Sequence, residues 1–203
     1  MSAIRDRLVD MHLRGHRRDV HGIRSENEMA PETRRDAAVL IAVTERAEED
    51  GPGPGVFLIE RPAKMRNHGG QVALPGGAID PGENAVQAAL REAHEEIALP
   101  LSAVHVIGPT DRYVTGTGFS ITPILATVSP NLKLRANPAE VDEWFEAPLS
   151  HLLDPASWST RSLFYRGRDR QFLETHWDGH HIWGATAGIF ANLAMRLGWE
   201  GWD

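Results

Sequence analysis

The 203-residue sequence contains no cysteine. This absence excludes disulfide bonds, thiolate metal ligands and a cysteine nucleophile, so that any catalysis must use other groups. It also fits a reducing compartment. Lysine is nearly missing as well, because Lys64 and Lys133 are the only two in the chain. Most basic positions are therefore arginines, and a single arginine carries little information by itself.

Long apolar runs and an excess of positive charge are also missing. No segment approaches the roughly 20 apolar residues that span a bilayer, and the first 20 residues lack the apolar centre of a secretory signal. The formal net charge of −7 argues against general affinity for nucleic acid or anionic membranes. We therefore expect a cytoplasmic protein without nucleic-acid or membrane partners, in which any phosphate site is local.

The Arg-rich start of the chain predicts a solvated helix. Asp6, Asp10 and Asp19 interrupt its basic character, whereas targeting helices are poor in acidic residues. With 41% hydrophobic residues, the chain has enough apolar material for a sizeable core. We expect an N-terminal helical segment, residues 1–36, that precedes or packs on one domain formed by residues 37–203.

Short apolar segments indicate an α/β domain. The runs AAVLIAV (37–43) and VFLIE (56–60) predict two neighbouring strands, and QVALPGG (71–77) predicts a short strand that ends in a turn. Further strands are expected within 103–108, 119–128 and 141–149. Asp178-Gly179 predicts a hairpin turn within 170–183, and a last helix over 185–198 is expected to stop at Gly198. This mixture predicts a mixed β-sheet sandwiched between helices.

Residues 83–97 form the clearest predicted helix, with an apolar stripe on one side and three carboxylates on its flank. Glu92, Glu95 and Glu96 share this flank, and Glu92 and Glu96 are four residues apart, close enough to hold a hard cation. A charged flank by itself is more often only solvated. Pro75-Gly76-Gly77, however, allows the backbone before the helix to turn tightly and approach a ligand. Arg91 is expected to point away from the centre of the acids and to pair with neighbouring carboxylates.

The spacing from Gly77 through Glu83 to the segment REAHEEIAL (91–99) resembles the signature of the Nudix hydrolases, G-x5-E-x7-R-E-U-x-E-E-x-G-U with U apolar. Ala98 stands where the signature has its last glycine. Glycine suits a left-handed helix end, so we expect alanine to shift that end or to extend the helix by a residue. The resemblance implies a Nudix fold and hydrolysis of a nucleoside diphosphate joined to another moiety.

The resemblance also implies residue roles. Glu92, Glu95 and Glu96 would be the ligands of Mg²⁺ or Mn²⁺, ions that neutralise pyrophosphate charge and acidify an attacking water. The general base stays open, because in this family it is either a glutamate of the signature helix or an acid of a distant loop. The candidates for catalytic residues are Glu92, Glu95 and Glu140; Glu143 is a further distal acid. For both distal acids, a plain surface role is the alternative.

The segment FLIERPAKMRNHGGQVALPGG (57–77) resembles the additional motif of the coenzyme A diphosphatase branch, L-L-T-x-R-S-x-x-x-R-x-x-x-G-x-x-x-F-P-G-G. Glu60, Pro62 and Leu74 depart from it, at its usual Thr, Ser and Phe. The segment also carries a basic cluster ahead of the acidic helix, which suits a multiply phosphorylated ligand. The predicted substrate-binding residues are Arg61, Arg66, His68, Gly70, Gly76 and Gly77.

These resemblances run from about residue 37 to 197. They imply an enzyme that cleaves the pyrophosphate of coenzyme A, or of an acyl or oxidised derivative, to 3′,5′-ADP and 4′-phosphopantetheine or its derivative. A Nudix hydrolase for ADP-sugars, NADH or dinucleoside polyphosphates is the first alternative, and a nucleotide-sensing module without turnover is the second. A homodimer is left open.

Overall fold

The computed structural model describes residues 2–64, 69–165 and 168–201. The helices are Ala3–His16 (α1), Ala85–Ile97 (α2), Leu149–Leu153 (α3) and Gly184–Leu197 (α4). The larger sheet contains Arg35–Thr44 (β1), Gly55–Glu60 (β2), Val72–Ala73 (β3), Gly76–Ala78 (β4), Val104–Pro109 (β5), Tyr113–Val114 (β6), Phe119–Val128 (β7) and Glu143–Pro148 (β8). The smaller sheet contains Ser159–Tyr165 (β9), Arg168–Trp177 (β10) and His180–Trp183 (β11).

Strand β1 is the centre of the larger sheet. It pairs in parallel with β7 along its whole length, from Arg35 to Thr44, while β2 and β4 pair with its other edge in antiparallel fashion. β4 is in register with the beginning of β1, where Gly76 lies opposite Val39. The sheet is therefore mixed, and the turn that leads into α2 lies at one end of it.

Alternation along β1 divides the core into two layers. Leu40 and its even-numbered neighbours pack with the apolar side of α2, whereas Ile41 and Val43 belong to a second cluster that includes residues of α1, α3 and α4. This is the expected arrangement of a mixed sheet between helices. The apolar runs of β1 and β2 are buried on both faces, which explains why they are continuous instead of alternating.

Several further predictions are confirmed. β1 and β2 are neighbours, and β10 and β11 form a hairpin whose turn residues, Asp178 and Gly179, both have positive φ angles of 47° and 86°. α4 ends where expected, because Gly198 adopts the left-handed conformation with φ 63°.

Some elements differ from the predictions. β9, with its four hydroxyl-bearing residues, and the short β6 and α3 were not expected, because their patterns are short or polar. α1 forms as predicted but is not merely solvated: Ile4, Leu8 and Met11 are buried in the core. Their spacing of four and three residues places them on one helical face. The boundary at residue 36 stays a prediction.

The end of α2 corrects one expectation. The helix ends at Ile97, and Ala98 follows in the left-handed conformation with φ 54° and ψ 35°. Its N–H group donates to the carbonyl oxygen of His94 at 2.9 Å. Alanine therefore neither shifts this end nor extends the helix; it takes the strained conformation that glycine adopts more easily.

Candidate active site

The helix α2 is fixed at its start by reciprocal capping bonds. The Asn84 side chain accepts from the N–H group of Gln87 at 3.0 Å, and the Gln87 side chain accepts from the N–H group of Asn84 at 2.9 Å. Glu83 therefore precedes the helix instead of belonging to it. Because Ala89 and Ala93 are buried against the sheet, α2 lies close to the strands, with its acidic flank beside β4.

Glu96 is the buried acid of this flank. Its side chain is only 3% exposed, and its Oε2 atom accepts from the N–H group of Gly76 at 2.9 Å. Gly76 must be glycine for this approach, because a Cβ atom there would lie 2.4 Å from the carbonyl oxygen of Ala38. The close contact of β4 with β1 thus presents a backbone N–H group to the carboxylate.

The surroundings of Glu96 disfavour the ionised form of its carboxyl group. Burial raises the pKa of its carboxyl group to about 8, against the lowering effects of Arg61 and of the Gly76 N–H group, while Glu92 and Glu140 raise the pKa further. A cation placed near Glu96 would favour the ionised carboxylate.

Arg91 organises the exposed part of the flank. Its guanidinium group contacts both oxygens of Glu83, at 2.8 and 3.1 Å, and donates to Glu92 at 2.9 Å and to Glu95 at 3.0 Å. It also donates to the carbonyl oxygen of Ala78 at 3.2 Å. The hydrogen bond from Arg91 holds the pKa of Glu83 below its ordinary value. The expected pairing is confirmed, but Arg91 lies among the acids and does not point away from them.

Glu92 and Glu95 differ in burial. The Glu92 side chain is half-buried beside Gly77, where a Cβ atom would come within 2.4 Å of its Oε1 atom. Glu95 is 49% exposed, and its Oε2 atom is engaged by Arg91. Glu92 and Glu96 therefore face the turn at Gly76 and Gly77, called the glycine turn below, whereas Glu95 lies further out.

The metal-ligand prediction can be compared with this donor set. Within the parts of the chain that the structure describes, no group of three or more acidic or histidine side chains converges as a metal site. The residues nevertheless fit a hard cation, because Glu92 and Glu96 offer carboxylate oxygens beside one turn. The Oε1 atom of Glu96 has no hydrogen-bond donor among the described residues, with Arg61 at 3.8 Å. The roles of Glu92, Glu95 and Glu96 as metal ligands stay predictions.

The predicted substrate-binding residues divide into three groups. Arg61, Gly76 and Gly77 lie together beside Glu96 and Glu92. Gly70, with φ 68°, closes the base of the loop that begins at Arg61 by donating to the Arg61 carbonyl oxygen at 2.9 Å. Arg66 and His68 lie outside the described residues.

The two distal acids lie at different places. Glu140 is exposed in a loop that α2 and β2 hold, because Asn137 donates to the carbonyl oxygen of Glu96 at 2.8 Å and Asp142 donates to that of Glu60 at 3.0 Å. Glu143 begins β8 opposite Glu60. The charge of Glu140 raises the pKa of Glu96, which places this distal acid near the flank. Its catalytic role stays a prediction.

The sequence interpretation missed two connections. Asn137 fastens the distal loop to α2, and the Asn-Pro step that opens this loop is a turn signal that could have revealed it. His180 contacts Glu60 at 3.1 Å and stacks on the Phe145 ring at 3.7 Å, so that β11 is joined to the larger sheet. No local sequence signal connects residues so far apart in the chain.

A cavity of about 700 Å³ lies elsewhere, at the other end of β1. Three of its charged lining residues are already engaged: Arg46 forms two contacts with Glu146, at 2.6 and 2.8 Å, and Glu45 accepts from Arg5 at 2.7 Å. The glycine turn and the acidic flank, not this cavity, bring together the groups that phosphate chemistry requires. No helix of the described residues has the length and apolar character to cross a membrane.

Comparison with known proteins gives one family. The sequence-family model described as "NUDIX domain" matches residues 33–167 of this chain. The chain is 41% identical over 166 residues to a Citrobacter koseri protein named "Uncharacterized Nudix hydrolase NudL", a match that covers 81% of this chain and 84% of that one. The Escherichia coli (strain K12) protein of the same name is 40% identical over 165 residues, with 81% and 83% covered.

The fold of this chain is also similar to those of solved structures. The crystal structure of a Nudix hydrolase from M. smegmatis, RenU, has 30% sequence identity and a TM-score of 0.49, with 64% of this chain and 80% of that chain covered. A C. elegans Ap4A hydrolase binary complex has 23% identity and a TM-score of 0.46, with 57% and 80% covered.

Proposed function

Because the chain belongs to the Nudix hydrolase family, we propose that it hydrolyses the pyrophosphate bond of coenzyme A or of an acyl or oxidised derivative. The products would be 3′,5′-ADP and 4′-phosphopantetheine or its derivative. The family membership itself carries the coarser statement: the chain is a metal-dependent hydrolase that acts on the pyrophosphate bond of a small nucleotide substrate.

The observation that carries the proposal is the position of Arg61. This residue is the first arginine of the segment that resembles the coenzyme A branch, and its guanidinium group lies 3.3 Å from the Gly76 carbonyl oxygen and 3.8 Å from Glu96. The branch-specific segment and the signature helix therefore meet at one point. A cation there suits a substrate with more phosphate charge than the metal alone neutralises.

The residues can be given roles in the reaction. Glu92 and Glu96, with Glu95 further out, would hold Mg²⁺ or Mn²⁺, which when bound supplies charge neutralisation and an acidified water. Arg91 keeps the acidic flank ordered through its four contacts with Glu83, Glu92 and Glu95. Glu95 and Glu140 are the candidates to accept the proton of the attacking water, since both are exposed to solvent.

The glycine turn and Arg61 would contact the substrate. Gly76 and Gly77 have no side chains, so that the pyrophosphate can approach the backbone of β4 closely. Arg61 would hold a phosphate oxygen by a charge-assisted hydrogen bond. Arg66 and His68, outside the described residues, are proposed to bind the remaining phosphate charge.

Two of the departures from the branch motif have structural explanations that favour the proposal. Leu74 is 2% exposed and belongs to the core, and Glu60 contacts His180. These substitutions therefore act on packing and on the attachment of β11, and not on the contact between Arg61 and Glu96. Pro62 is also buried.

A substrate panel tests the proposal. We expect the highest kcat/KM for coenzyme A or one of its thioesters or disulfides in the presence of Mn²⁺ or Mg²⁺, compared with ADP-ribose, NADH and diadenosine tetraphosphate. Preference for another member of the panel would overturn the coenzyme A proposal and leave the family chemistry intact. Binding without turnover of any member would favour the sensing module.

Two further properties are proposals of lower detail. We place the enzyme in the cytoplasm, which cell fractionation tests, and we leave a homodimer as the alternative to a monomer, which light scattering of the purified protein decides.

A further inference from the structure

Backbone hydrogen bonds fix the position of Arg61 beside Glu96, the buried acid of the active site. Its N–H group donates to the carbonyl oxygen of Gln71 at 3.0 Å, and its carbonyl oxygen accepts from Gly70 at 2.9 Å. Its Nη2 atom donates to the Gly76 carbonyl oxygen at 3.3 Å. The guanidinium group is thus fixed at the base of the loop that follows β2.

The two oxygens of Glu96 have different surroundings. Oε2 accepts from the Gly76 N–H group, whereas the positive group of the described residues that lies beside Oε1 is the guanidinium group of Arg61, at 3.8 Å. This separation is too long for a hydrogen bond but short for two opposite charges. Since the Glu96 side chain is 3% exposed and that of Arg61 is 27% exposed, water screens this pair less than it screens a surface pair.

A guanidinium group and a divalent cation beside the same carboxylate repel each other. Arg61 therefore stands where its charge opposes metal binding, although its charge also compensates the buried acid. Lys64, three residues further along, offers a comparison, because it carries the same charge and is exposed on the same loop.

We propose that Arg61 is the internal counter-ion of Glu96 in the metal-free enzyme and that an active-site divalent cation competes with it for this carboxylate. The inference rests on the metal site of the proposed function but not on coenzyme A as the substrate. Arg61 is then a positioning residue for the metal: it stabilises the buried acid before the metal binds and lowers the affinity for the metal.

Titration of the full-length protein with Mn²⁺, without nucleotide and under nitrogen, tests this inference. Free Mn²⁺ is measured by electron paramagnetic resonance. Arg61→Gln is expected to lower the Mn²⁺ Kd about tenfold, since removal of one positive charge next to a divalent ion changes the affinity by this order. Arg61→Lys retains the charge and should stay within about threefold of wild type.

Control variants separate this local competition from a general charge effect. Lys64→Gln removes the same charge from the same loop and is expected to leave the Kd within about threefold of wild type. Arg61→Met is a second uncharged variant in case Arg61→Gln does not fold. In EDTA, both uncharged variants should melt at lower temperature than wild type, and Mn²⁺ should raise their melting temperatures by more than it raises that of wild type.

Two results would overturn the inference in different ways. An unchanged or weaker Mn²⁺ affinity in the uncharged Arg61 variants, with normal binding by wild type, would refute the counter-ion role alone. Absence of Mn²⁺ binding by wild type would refute the metal site of the proposed function together with this inference.

Discussion

Replacement of Ala98 by glycine is expected to stabilise the protein. Ala98 ends α2 with φ 54° and ψ 35°, a conformation in which its Cβ atom is crowded against the backbone. This crowding costs about 1–2 kcal/mol for a residue other than glycine. Glycine relieves it but loses more conformational entropy on folding, which offsets about 0.5–1 kcal/mol. The net expectation is a gain of about 1 kcal/mol in the free energy of unfolding.

Urea unfolding measures this gain. Ala98→Gly should raise the midpoint without changing the slope, and should raise the melting temperature by about 2–4 °C. Ala47→Gly is a suitable control: Ala47 is also half-buried in a connection, but it is not among the non-glycine residues with positive φ. It should lose stability by about 0.5–1 kcal/mol. If Ala98→Gly is no more stable than wild type, the left-handed end of α2 is not strained.

Three further predictions concern the turn, the flank and α1. Gly76→Ala is expected to lower activity at least about a hundredfold and to destabilise the protein by about 2 kcal/mol or more, because the new Cβ atom would lie 2.4 Å from the Ala38 carbonyl oxygen. Calorimetry measures the stability and kcat/KM measures the activity. A stable, active variant would contradict the prediction. Arg91→Lys keeps one charge but cannot make the four carboxylate contacts of the guanidinium group. We expect kcat to fall at least about tenfold while the circular dichroism spectrum stays unchanged. An unaltered kcat would show that these contacts of Arg91 are dispensable. The pKa of buried His12 is lowered, mainly by desolvation and also by His16 and Arg196, against the raising effect of the hydrogen bond that its Nε2 atom donates to the Pro109 carbonyl oxygen. Neutral His12 therefore contributes to the free energy of unfolding in full above pH 6.5, and this contribution is lost as the pH falls through the lowered pKa. Urea titrations of wild type and His12→Gln should differ in this pH range. Identical slopes of the free energy of unfolding against pH would refute the prediction.

The sequence predicted the parts of the fold in which one local pattern decides the structure. β1 and β2 are apolar runs buried on both faces, and the turn at Asp178 and Gly179 needs two positive φ angles, which these residue types tolerate. The burial of α1 was harder to predict. Its three core residues are separated by arginines and acids, and α1 packs against α4 and β5, which lie far along the chain.

The candidate site was predictable to a similar extent. The helical spacing of Glu92 and Glu96 placed both on one flank, and both do face the glycine turn. The burial of Glu96 was not predictable, because it depends on the contact between β4 and β1. The spacing of the acidic residues in the sequence does not indicate this contact. Nor could the pattern of acids show that Arg61, 35 positions before Glu96, would lie beside it.

Identification of the products formed from coenzyme A tests the proposed hydrolase activity. Wild type, Glu96→Gln and the control Glu49→Gln, which changes an exposed acid of the loop after β1, are incubated with coenzyme A and Mn²⁺, and the products are identified by mass spectrometry. We expect 3′,5′-ADP and 4′-phosphopantetheine from wild type and the control, with at least about a hundredfold loss of rate in Glu96→Gln. Intact coenzyme A with wild type, or equal rates in Glu96→Gln, would contradict this expectation.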